Sequence, residues 1–150
     1  MTDPVSFSSS STVFDFPLLF SGQAQKEIFV NQTFSMIDAL LSRVIVGSSS
    51  TPPSSPSDGD VYLVEAPASG DWTGRAESLA LRVGGAWRFV EPREGMSVFN
   101  KSSGRSLVFR SAWEFAQEPV APSGGSVIDT EGRLALSHLI GELKKVGIIG

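Results

Sequence analysis

The chain has no cysteine among its 150 residues, so disulfides, thiolate zinc sites, iron–sulfur clusters and cysteine nucleophiles are excluded together. It has one histidine, His138, which leaves a Ser-His-Asp triad a single base and a multi-histidine metal site none. Charge is sparse as well. Twelve Lys and Arg against sixteen Asp and Glu give a net charge of −4, and the basic residues are dispersed. Counterion release therefore has no patch to act through, and nucleic acid is not an expected partner. No apolar run approaches the roughly 18 residues of a membrane span. No basic residue precedes Lys26, so neither a secretion signal nor a membrane partner is expected. No cofactor is expected either.

What is present divides into five stretches. Residues 1–15 are rich in serine and form a polar extended arm that ends in Val13, Phe14 and, just beyond, Phe16. Residues 16–47 are a helical region, with a short helix over 23–30 after Ser21 and a second from an Asn31 cap to about Val46, closed by Gly47. In the second helix Phe34, Ile37, Leu41 and Val44 recur at spacings of 3, 4 and 3. Such a seam either packs on the domain's own sheet or joins identical subunits. Residues 48–58, with Pro52, Pro53 and Pro56, read as a stiff Pro/Ser linker, because proline forbids helix and central strand.

Residues 59–119 turn to β-branched and aromatic pieces bounded by glycine, which predicts an antiparallel meander with strands near 60–65, 78–83, 86–90, 96–100, 106–110 and 113–116. Gly84-Gly85 and Lys101-Ser102-Ser103-Gly104 supply its tight turns. A hairpin is repeated: Ser78-Leu79-Ala80-Leu81-Arg82 with Ala86-Trp87-Arg88-Phe89 recurs as Ser106-Leu107-Val108-Phe109-Arg110 with Ala112-Trp113-Glu114-Phe115. The repeat assigns Trp87 and Trp113 equivalent places in the core. Residues 120–150 are a hinge and a C-terminal helix over 131–146, capped by Asp129 or Thr130 and ended by Gly147. Leu136, Leu139, Ile140, Leu143 and Val146 form its stripe, and Ile148 and Ile149 follow as an apolar tail. The fold class is therefore α+β.

Little here carries chemistry. Asp58, Asp60, Glu65, Asp71 and Glu77 could supply an acid–base pair for glycoside hydrolysis, but Asp58-Gly59-Asp60 is equally good turn chemistry before a strand. His138 sits beside apolar Leu139 in the last helix, as a packed or solvent-edge imidazole would. Trp72, in the glycine-rich stretch Gly70-Asp71-Trp72-Thr73-Gly74, is the candidate for stacking on a sugar ring. No catalytic, cofactor-binding or metal-ligating residue is assigned.

Several stretches carry a resemblance: Phe16-Pro17-Leu18-Leu19-Phe20-Ser21-Gly22-Gln23-Ala24-Gln25-Lys26-Glu27, then Asn31, Asp38-Ala39-Leu40, Tyr62-Leu63-Val64, and Gly84-Gly85-Ala86-Trp87-Arg88-Phe89. Together they resemble a family of uncharacterised phage-derived proteins found in alphaproteobacterial phages, prophages and gene transfer agents. The resemblance spans about residues 16–115, and the ending is similar to a terminal helix of phage fibre proteins. It implies a non-enzymatic virion protein, assembled in the host bacterial cytoplasm, that serves as the base or adaptor of a capsid spike or fibre and holds host-attachment fibres. The implied partners are further copies of the chain in a trimer or pentamer, capsid or tail proteins, and a fibre protein. The alternative is a tail-fibre component or a carbohydrate-binding module contacting host surface polysaccharide through Trp72. Candidate interface residues are Phe14, Phe16, Phe34, Ile37, Leu41, Val44, Leu139, Leu143, Val146, Ile148 and Ile149.

Overall fold

The computed structural model describes residues 16–19, 22, 24–125 and 129–149; the expected arm, with Phe14, and the Ser21 cap lie outside them. The chain is α+β and divides into two compact units, Met1–Pro92 and Arg93–Gly150. That boundary falls inside the stretch read as one meander.

In the first unit a single helix, α1 (Lys26–Leu41), replaces the two expected, and Asn31 is an interior residue rather than a cap. Its buried residue is Met36, with Phe29, Thr33, Ile37 and Leu40 half-buried at helical spacing beside it, and the helix lies against strand β4 (Leu79–Val83). The Thr33 hydroxyl donates to the Pro17 carbonyl at 2.8 Å, tying the preceding segment to the helix. The expected seam is broken. Leu41 is the last helical residue, and Val44 belongs to a short strand, β1 (Val44–Ile45), whose Ile45 is fully buried. Phe34 and Leu41 turn outward instead.

The stretch read as a linker opens in a strand. β2 (Gly47–Ser49) runs parallel to β3 (Val61–Val64), and β3, β4 and β5 (Ala86–Val90) continue the sheet antiparallel. Strand alternation sorts this sheet into two faces. Val61, Leu63, Leu79, Leu81 and Val90 are buried on one. The other carries Tyr62, Val64, Ala80, Arg82, Trp87 and Phe89.

In the second unit β6 (Ser97–Asn100), β7 (Arg105–Arg110) and β8 (Ala112–Glu114) run antiparallel in that order, and α2 (Thr130–Lys145) closes the chain. The buried Asn100 side-chain oxygen accepts from the Ser102 amide at 3.0 Å and the Ser102 hydroxyl at 2.8 Å, which organises the expected turn. Asp129 caps α2, accepting from the Gly132 amide at 2.8 Å. After the helix, Gly147 takes φ 69° and its carbonyl accepts from the Ser106 amide at 2.7 Å. A Cβ there would stand 2.7 Å from the Phe99 ring, so any side chain would have to displace that ring as well as adopt a left-handed backbone. Ile149 then bridges to Ala116 and is 4% exposed. Ile149 was expected at an interface and instead belongs to its own unit's core, because the chain end is stitched onto the strands.

The hairpin repeat does not survive as a structural repeat. Gly84-Gly85 forms a two-residue turn that sets Arg82 opposite Trp87, whereas the second hairpin turns on Ser111 alone, at φ 56°, and sets Phe109 opposite Trp113. A one-residue change of register moves side chains to the other face. Trp113 thus joins Phe109, ring centroids 5.5 Å apart, while Arg110 faces Ala112.

Candidate functional site

The site grows from the Gly84-Gly85 turn. Both glycines hold positive φ, 57° and 73°, as a two-residue hairpin with the right-handed strand twist requires. The resulting register pairs Ala80 with Phe89 and Arg82 with Trp87, and β3 adds Tyr62 opposite Ala80. Side chains two apart on β5 then share one face with the cation across the hairpin.

A 3-10 turn, Gly70–Trp72, brings the third tryptophan onto this face. The segment carrying it is held to the sheet edge, with the Ser69 amide donating to the Ser50 carbonyl at 2.9 Å and the Glu77 amide to the Val64 carbonyl at 2.8 Å. Trp72 packs edge-on to Trp87 at 5.1 Å and tilted to Tyr62 at 5.9 Å, over Val64 and Ala80. Tyr62 and Trp87 complete the triangle at 6.2 Å. Two guanidiniums cover the outer rings: Arg75 lies 5.1 Å from the Phe89 centroid and Arg82 5.2 Å from that of Trp87. Among the described residues neither arginine is ion-paired with a carboxylate. Burial, and secondarily the negative charge of Asp60, push the Tyr62 phenol above its ordinary pKa of 10.0.

Trp72 does not take the place expected of a sugar-stacking ring. It is fully buried, and among the described residues its indole N–H finds no hydrogen-bond partner. Trp87, expected in the core, packs against it half-buried, as do Phe89 and Tyr62. The acidic residues of the loop serve the turn: Asp58 accepts from the Gly85 amide at 3.0 Å and Asp60 from the Ser57 amide at 2.9 Å. Among the described residues no group of three or more metal-ligating side chains comes together. His138 is exposed on α2.

The expected interface residues separate into classes. Phe34, Leu41, Leu139, Val146 and Ile148 are 48–76% exposed, while Phe16, Ile37, Val44 and Leu143 are half-buried within the chain. No residue of α2 is buried. No described helix is long and apolar enough to cross a membrane.

The two arginine–ring contacts of this face, and a third in the second unit between Arg105 and Phe115 at 5.0 Å, were missed at the level of sequence. The Arg82–Trp87 stack was readable there, since a two-residue turn at Gly84-Gly85 dictates that pairing. The Arg75–Phe89 stack had no such signal, because Arg75 lies outside the strands.

No curated protein matches the chain. Residues 30–114, which include most of α1, the whole first sheet and the strands β6, β7 and β8 of the second unit, match a family described as proteins of unknown function, DUF2793. The chain belongs to the DUF2793 family.

Proposed function

We propose that this protein is a structural, non-enzymatic component of a phage-type virion, the base or adaptor of a capsid spike or fibre, and that it works as a homo-oligomer. The observation that carries the reading is the surface of α2. Leu136, Leu139 and Val146 are 48%, 55% and 65% exposed and follow the 3- and 7-residue spacing of a helix seam. An isolated helix of about 16 residues is marginal in water, so such a helix gains stability from covering its apolar stripe. Phe34 and Leu41, 64% and 76% exposed, add a second apolar row on α1. A closed symmetric assembly gives both rows a place, since each copy presents the same patches. The resemblance to phage-derived proteins supplies the setting.

The test has two parts. Light scattering behind size exclusion at micromolar concentration should give an oligomer that Leu136→Glu with Leu139→Glu dissociates. Electron microscopy of particles made with and without the chain should show one part lost and count its copies. A strictly monomeric protein that is also absent from particles refutes the proposal.

A further inference from the structure

The Arg75/Arg82 face of the first sheet is built to hold something that is not in the chain. A guanidinium stacked on a ring spends its π surface on the contact and keeps its N–H edge for a planar acceptor. Here two guanidinium carbons lie 5.1 and 5.2 Å from the centroids of Phe89 and Trp87, two residues apart on one strand, and among the described residues no carboxylate pairs with either. The ring contacts favour keeping both cations on this face. Trp72, buried and edge-on at 5.1 Å, holds Trp87 from behind, so the platform is formed before any ligand arrives.

The chemistry of the rim selects among ligands. Half-buried Trp87, Phe89 and Tyr62 offer their remaining apolar area to C–H groups, the arginines offer donors to an anion, and Asp60 beside Tyr62 offers an acceptor to hydroxyls. A carboxylate at the rim needs a hydroxyl donor, which every saccharide ring supplies and a DNA phosphodiester chain does not. A ring with C–H faces, hydroxyls and a carboxylate satisfies all three. We propose that this face binds an acidic saccharide, its carboxylate on Arg75 or Arg82 and its ring against Trp87 and Phe89. The inference is independent of the assembly reading, since a monomer absent from particles would still carry the site.

Calorimetric and tryptophan-fluorescence titration of the full chain would use tetragalacturonate, a hyaluronan tetrasaccharide and an α2,8-linked tetrasialate as probes. Maltotetraose serves as the neutral sugar and oligothymidylate as the nucleic acid. At least one acidic probe should bind, with maltotetraose about tenfold weaker or worse, and Arg75→Gln with Arg82→Gln should lose at least about tenfold at unchanged far-ultraviolet dichroism. If that double variant does not fold, Arg82→Lys, which keeps the charge and loses the planar fork, should still weaken binding several-fold. Failure of all three acidic probes overturns the inference. So does equal binding of maltotetraose, tighter binding of oligothymidylate, or full affinity in whichever variant is folded.

Discussion

Replacing Trp72 separates a core tryptophan from a surface one. The ring is 0% exposed and meets Trp87 at 5.1 Å and Tyr62 at 5.9 Å over Val64 and Ala80. Trp72→Ala removes this contact and leaves a cavity beneath the two outer rings, which costs about 3–5 kcal/mol by comparison with buried aromatic truncations. With a urea dependence of about 2 kcal/mol per molar, the unfolding midpoint of the first unit should fall on the order of 2 M. Trp72→Phe is the informative partner. It removes some packing but also the indole N–H that finds no partner among the described residues. An unpaired buried donor costs about 1–3 kcal/mol, so its removal offsets part of the lost area and the net change should stay below about 2 kcal/mol. The difference emission spectrum between parent and Trp72→Phe should be blue-shifted, as from a dry indole. A Trp72→Ala protein within about 0.5 kcal/mol of the parent, the range of ordinary surface changes, would refute the buried placement.

Two further outcomes follow from the same geometry. Tyr62 is the chain's one tyrosine, so phenolate absorbance reports it alone, and its midpoint should lie above 10.0. Because the folded state holds that proton more tightly than the unfolded chain, its contribution to stability is present below pH 10.0 and is lost as pH rises through the folded-state value; Tyr62→Phe should abolish this part of the slope. Gly147→Ala combines a left-handed φ of 69° with a Cβ 2.7 Å from the Phe99 ring, and should destabilise the second unit by at least about 1–2 kcal/mol in thermal melts. Phe99→Ala in that background should recover the steric share and not the backbone share. A fully stable Gly147→Ala would remove the contact.

Local physics was legible in the sequence. Alternation and glycine punctuation located β3 to β8 to within a residue or two, and Asp129 with Gly147 bracketed α2 as cap and terminator. Asp60 could be read as a turn residue because its partner, Ser57, lies three positions away, whereas Asp58 reaches Gly85 only because the folded sheet brings the two turns together. Periodicity served α1 less well. Its apolar residues surround much of the helix, so spacing alone offered Phe34 and Leu41 as readily as Met36, and only contact with the sheet buries one set.

The amino-acid order alone determined that the fold is α+β, that cysteine and multi-histidine chemistry are absent, and where the tight turns fall, since each depends on side-chain identity or on neighbours a few positions apart. Tertiary structure alone decided three things. It buried Trp72 and left Trp87 half-buried beside it, it made Gly47–Ser49 a sheet edge rather than a tether, and it turned two similar hairpins into different surfaces. The physical reason is common to them. Which face a side chain occupies depends on register and on what covers the sheet, and a single residue in a turn, two glycines against one serine, reverses it.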